Sequence, residues 1–134
     1  MPVMMRQQAP WVFSTGFYDH QPEKLAGFLA EMDATTQPAS SFAAQIAALI
    51  NHDATARLGA VTTPALVIAS EDDIVIKPAL SRRLHEALPG SAWELLAGGH
   101  ATFLENPALW NATVLEFIDA YRAHPRPAGG SGPP

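Results

Sequence analysis

The chain has 134 residues, 48% of them apolar and 16% charged, with 13 acidic against 8 basic side chains and a formal net charge of −5. That length allows one domain, and a low-charge chain with so much apolar residue is expected to fold. The acidic balance argues against nucleic acid, no apolar run approaches the roughly 18 residues of a membrane span, and the lack of cysteine excludes disulfides, thiol chemistry and cysteine zinc sites. The N-terminus has one arginine and no apolar h-region of a signal peptide, so a cytoplasmic protein is expected.

Along the chain, Trp11-Val12-Phe13 is a short apolar run. Gln21-Pro22-Glu23 opens a first helix, with Pro at the first helical position and an early acid suited to the helix dipole. Leu25, Phe28, Leu29 and Met32 recur on it at helical spacing. Residues 35–40 form a loop around Pro38, and Ser41 is the expected N-cap of a second helix bearing Phe42, Ile46, Leu49 and Ile50. Asp53 caps a short turn ending near Gly59.

The pattern changes at Pro64. Ala65-Leu66-Val67-Ile68-Ala69 is a continuous apolar run, as in a strand buried on both faces. Pro78 opens a helix that Pro89-Gly90 stops, Ala92 to Leu96 is a second strand, and Asn106-Pro107 opens the last helix. From His124 the tail holds four of the 12 prolines and three of the 9 glycines, and disorder is expected there. The division is thus 1–60 helical, 61–122 α/β, and 123–134 tail. Strand, helix, strand, helix makes two parallel strands with flanking helices.

Asp73 lies about three residues past the first strand and His100 about four past the second. Parallel neighbours about 4.8 Å apart end on the same side, so both side chains reach the carboxyl edge, where α/β sheets place their sites. A carboxylate beside an imidazole fixes its tautomer and stabilises the imidazolium. Gly98-Gly99 permits a tight turn before the histidine. The plainer reading makes Asp73 a loop cap and His100 an exposed turn residue.

The stretch Pro64-Ala-Leu-Val-Ile-Ala-Ser-Glu-Asp-Asp73-Ile-Val-Ile-Lys-Pro78 resembles a segment of the α/β-hydrolases that ends on the triad acid. Leu88-Pro-Gly-Ser-Ala-Trp-Glu-Leu-Leu-Ala-Gly-Gly-His100-Ala-Thr-Phe-Leu-Glu105-Asn-Pro107 resembles their closing segment, which carries the catalytic histidine. Trp11 to Asp19 and Gln45 to Asp53 resemble cap segments of the branch containing 3-oxoadipate enol-lactonases and related carboxylic-ester hydrolases. The resemblance runs over about residues 10 to 120. It implies the C-terminal part of an α/β-hydrolase fold, with a cap segment and the last two strands. It also implies Asp73 as acid, His100 as base, no cofactor or metal, and a small ester or lactone as substrate. Ser70 stands where the family has Gly, which puts the turn that aims Asp73 in doubt.

The family's nucleophile sits in a Gly-x-Ser-x-Gly elbow between a strand and a helix, and this sequence contains none. Ser14 would keep the family's chain order before Asp73 and His100, but the first Gly is absent and Phe17 to Pro22 does not read as the helix an elbow requires. Gly129-Gly130-Ser131-Gly132 lies in the tail with no strand before it. Without a hydroxyl to activate and oxyanion donors, the pair has little power for acyl transfer. The expected protein is therefore the acid–base portion of a serine-type hydrolase, inactive alone, or a non-catalytic interaction protein of the same fold. The edge of the first strand invites pairing, so a homodimer or a complementing N-terminal hydrolase chain is the expected partner.

The remaining candidates are weaker. His20, His52, His85 and His124 lack metal spacing, His52-Asp53 reads as a helix-end pair, and Glu71-Asp72-Asp73 lacks the spaced ligands of a calcium loop. Trp11, Phe13, Phe17 and Tyr18 suit an acyl pocket or plain core, and Trp93 and Trp110 suit packing. Glu105 either buttresses the His100 turn or begins the last helix.

Overall fold

A computed structural model describes residues 8–34 and 38–123. Residues 8–12 are helical and lead into α1 (Thr15–His20), α2 (Pro22–Ala34) and α3 (Ala39–Asn51). A 3-10 turn at Thr55–Ala60 precedes β1 (Leu66–Ser70), α4 (Pro78–Ala87), β2 (Ala92–Leu96), α5 (Thr102–Glu105) and α6 (Pro107–Ala123). The two strands pair in parallel from Leu66 opposite Ala92 to Ser70 opposite Leu96. The helix between them, α4, packs on both. Within the sheet Val67, Ala69, Ser70 and Leu96 are buried, whereas Leu66 and Ile68 are half-buried, so β1 is buried fully on one face and not on both as its unbroken apolar run suggests.

The larger core lies elsewhere. Ala9, Phe13, Phe17 and Leu25 of the N-terminal segment close around Ala101 of the loop after β2, with Phe28, Leu29 and Leu104 packed against them. Phe13 stacks on Phe17 at 4.9 Å between centroids and meets Phe28 edge-on at 5.1 Å. Phe13 and Phe17 are therefore core residues, whereas Trp11 is 64% exposed and lies outside the core. Trp93 packs beneath the Arg82 guanidinium, 4.2 Å from its ring centre, and Trp110 stands edge-on to Phe103 at 5.9 Å.

Three local expectations are corrected. Residues 15–20 are helical, although Thr, Gly, Tyr, Asp and His favour helix weakly. The Ser14 hydroxyl caps the turn by accepting from the Phe17 amide, and burial of Phe17 holds it in place. The next correction concerns α3, which starts at Ala39 and not after Ser41; Pro38, with φ −59°, takes the extended cap position and its carbonyl accepts from the Phe42 amide. The loop at 35–37 and the tail beyond Ala123, which itself closes α6, lie outside the described residues. Ala54, not Asp53, takes the cap position of the 3-10 turn; the Asp53 carboxylate accepts from the Thr55 amide at 2.8 Å, and the Thr55 amide and hydroxyl hold its carboxyl below the ordinary range. That support is present above the ordinary carboxylate pKa and is lost as pH falls through the lowered value.

No side chain of α3 is buried; Phe42, Ile46, Leu49 and Ile50 are 37 to 76% exposed. No helix among the described residues is long and apolar enough to cross a membrane. Because Phe13 joins both halves of the core, Phe13→Ala is expected to lower unfolding free energy by about 3 kcal/mol or more, measured by urea denaturation.

Candidate active site at the carboxyl edge of the sheet

The hydrogen-bond ladder does not stop where the strands do. The Glu71 amide donates to Leu96 O at 2.9 Å and the Asp72 amide to Gly98 O at 3.0 Å. The loops after β1 and β2 thus leave the sheet stitched together. At their tips, His100 Nδ1 lies 2.9 Å from Asp73 Oδ2. The other carboxylate oxygen, Oδ1, accepts from the amides of Val75 and Ile76, both at 2.8 Å. These two donors fix the carboxylate plane, leaving Oδ2 for the ring. A carboxylate only accepts, so Nδ1 carries the hydrogen and Nε2 keeps its lone pair. The Asp73 side chain is 10% exposed and the His100 imidazole 40%, so the ring is accessible while the carboxylate beside it is sheltered. Sequence spacing and structure agree on the juxtaposition of Asp73 and His100.

The turn carrying His100 is held from several sides. Gly98 has φ +131°, and a Cβ there would lie 2.7 Å from Thr102 Oγ1. Thr102, fully buried, bonds Ser70 Oγ at 2.6 Å and Gly99 O at 2.7 Å. Ser70 therefore ties the end of β1 to the His100 loop, and with serine at that position the acid still meets the ring. The carboxylate of Glu105, 8% exposed, accepts from the Ser14 amide at 2.7 Å, the Ser14 hydroxyl at 2.7 Å and the Gly99 amide at 3.1 Å. Beside the pair lies a cleft of about 560 Å³, bordered by Pro10, Phe13, Asp73, Ile74 and Lys77.

No protein-family model matches the sequence. Among curated proteins, the chain is 34% identical over 115 residues to the "Putative carbamate hydrolase RutD" of Agrobacterium fabrum, covering 85% of this chain and 44% of that protein. Among solved structures, the enol-lactonase of Burkholderia xenovorans LB400 superposes with a TM-score of 0.78 at 22% identity, covering 89% of this chain and 45% of that one. A thermophilic esterase from Thermogutta terrifontis gives 0.78 at 19% identity, covering 88% and 43%. The chain has the α/β-hydrolase fold over the portion it spans. It spans less than half the length of these relatives.

As a portion of an α/β-hydrolase fold, the chain holds two parallel strands with flanking helices and the loops that follow those strands. Among the described residues no hydroxyl is hydrogen-bonded to the His100 ring. Ser14 is buried, but its hydroxyl is bonded to Glu105 and it follows helical residues 8–12 in place of an elbow strand. Of the other histidines, His52 ends α3 and His85 bonds Ser91 Oγ at 2.8 Å.

The Glu105–Ser14 link was beyond sequence reasoning, since its partners are 91 residues apart. Of the two readings open for Glu105, the buttress holds, and α5 intervenes before the last helix. The Gly98-Gly99 pair was the available signal that backbone packs closely there. Gly98→Ala is expected to cost about 1–3 kcal/mol of stability and to shift the His100 resonances, measured by denaturation and NMR.

Proposed function

We propose that this chain supplies the acid and base of a serine-type hydrolase acting on a carboxylic ester, a lactone or a related acyl compound. The observation that carries this reading is the Asp73–His100 hydrogen bond of 2.9 Å at the carboxyl edge of a parallel sheet. His100 Nε2 takes the proton of an attacking serine hydroxyl and later returns it to the leaving group, while Asp73 orients the ring and stabilises the imidazolium. The names of the relatives support the reaction class. Carbamates, esters and lactones all pass through a tetrahedral oxyanion when a nucleophile adds to the carbonyl.

The nucleophile and oxyanion donors come from residues outside this sequence, so the chain alone turns over no ester efficiently. A chimera placing the N-terminal portion of a RutD relative ahead of this chain is the test. It is expected to hydrolyse p-nitrophenyl acetate, and Asp73→Asn or His100→Ala is expected to lower kcat/KM by about 10³–10⁴. Undiminished activity of the His100→Ala chimera would refute the assignment.

Association is the second reading. The apolar stripe of α3 is exposed, and among the described residues each strand of the two-stranded sheet keeps one edge without a strand beside it. The chain pairs with a copy of itself or with a complementing hydrolase chain. Alone, it is expected to sediment as a dimer at tens of micromolar; a monomer at that concentration counts against self-association.

A further inference from the structure

Both backbone neighbours of His100 are fastened to one short segment near the N-terminus. The Ala101 amide donates to Val12 O at 2.9 Å, and Gly99 meets Ser14 so closely that a Cβ would lie 2.5 Å from the Ser14 nitrogen. Two amides face each other across that contact, and two donors cannot bond. Glu105 resolves the conflict: its Oε1 accepts from both, at 2.7 Å from Ser14 and 3.1 Å from Gly99, while Oε2 takes the Ser14 hydroxyl at 2.7 Å.

We propose that Glu105 is a positioning residue that holds the His100 ring against Asp73 by clamping Gly99 to Ser14. It rests on the acid–base reading of the pair only for its catalytic consequence. Without an acceptor at this place, two buried amides lose their partners, and the cheapest relief is for the segments to part and admit water. Among the described residues the His100 ring has one hydrogen-bond partner, Asp73, and the ring follows the backbone that carries it. Gln at 105 keeps the clamp, because its amide oxygen still accepts from both N–H groups and its NH2 can donate to the Ser14 hydroxyl. Leu fills the space and accepts nothing.

The readout is the His100 Nδ1–H proton in the NMR spectrum of the chain, identified by its disappearance in Asp73→Asn. The signal is expected in the wild type and in Glu105→Gln. In Glu105→Leu it is expected to vanish or to exchange at least about tenfold faster, while the amides of β1 and β2 keep their positions. Gly99→Ala should give the same loss with Glu105 present, because its Cβ drives the segments apart. An unchanged signal in folded Glu105→Leu overturns the proposal, as does a Gln variant that behaves like Leu. If the Leu variant does not fold, Ser14→Ala, which removes one of the three bonds, decides: several-fold faster exchange supports the clamp and no change overturns it. An active His100→Ala chimera would defeat the hydrolase reading and leave this result standing.

Discussion

Two loops leave a parallel sheet side by side, and they stay together because the backbone ladder runs on past the strands. The bonds from Glu71 to Leu96 and from Asp72 to Gly98 set the two loop bases one rung apart. Everything chemical at this edge depends on that continuation. With the bases fixed, only the turn of each loop decides where the acid and the imidazole point. Asp73 is locked by two amides of its own turn, a local solution. His100 is not; its loop is held by residues distant in sequence, through Thr102 to Ser70 and through Glu105 to Ser14.

This division explains where the core sits. A two-stranded sheet gives little area to bury, and the best-packed cluster forms between the N-terminal segment and Ala101 of the histidine loop. Apolar burial by Phe13 and Phe17 thus presses residues 12–14 onto the loop, and the polar clamp works at the same contact. Hydrophobic packing supplies the force there, and the hydrogen bonds of Glu105 set the register.

The same arrangement leaves other surfaces uncovered. The α3 helix carries its apolar residues without burying any, and an isolated helix of 13 residues is marginal in water. The chain spans less than half the length of the relatives it matches. The exposed apolar stripe of α3 is the physical reason for the association proposed above.

The sequence by itself determined the strands, α4, the last helix and the meeting of Asp73 with His100. These follow from short-range facts: unbroken apolar runs, proline and glycine stops, and side chains a few residues beyond paired strand ends. The N-terminal half was less legible. Whether residues 15–20 coil into a helix turned on the burial of Phe17 and the cap at Ser14, which weak propensities do not announce. Only the tertiary structure decided the role of Glu105, because a carboxylate before Pro107 looks the same whether it faces water or two amides, one of them 91 residues away. Burial makes that difference, and burial belongs to the whole fold and not to any local stretch of sequence.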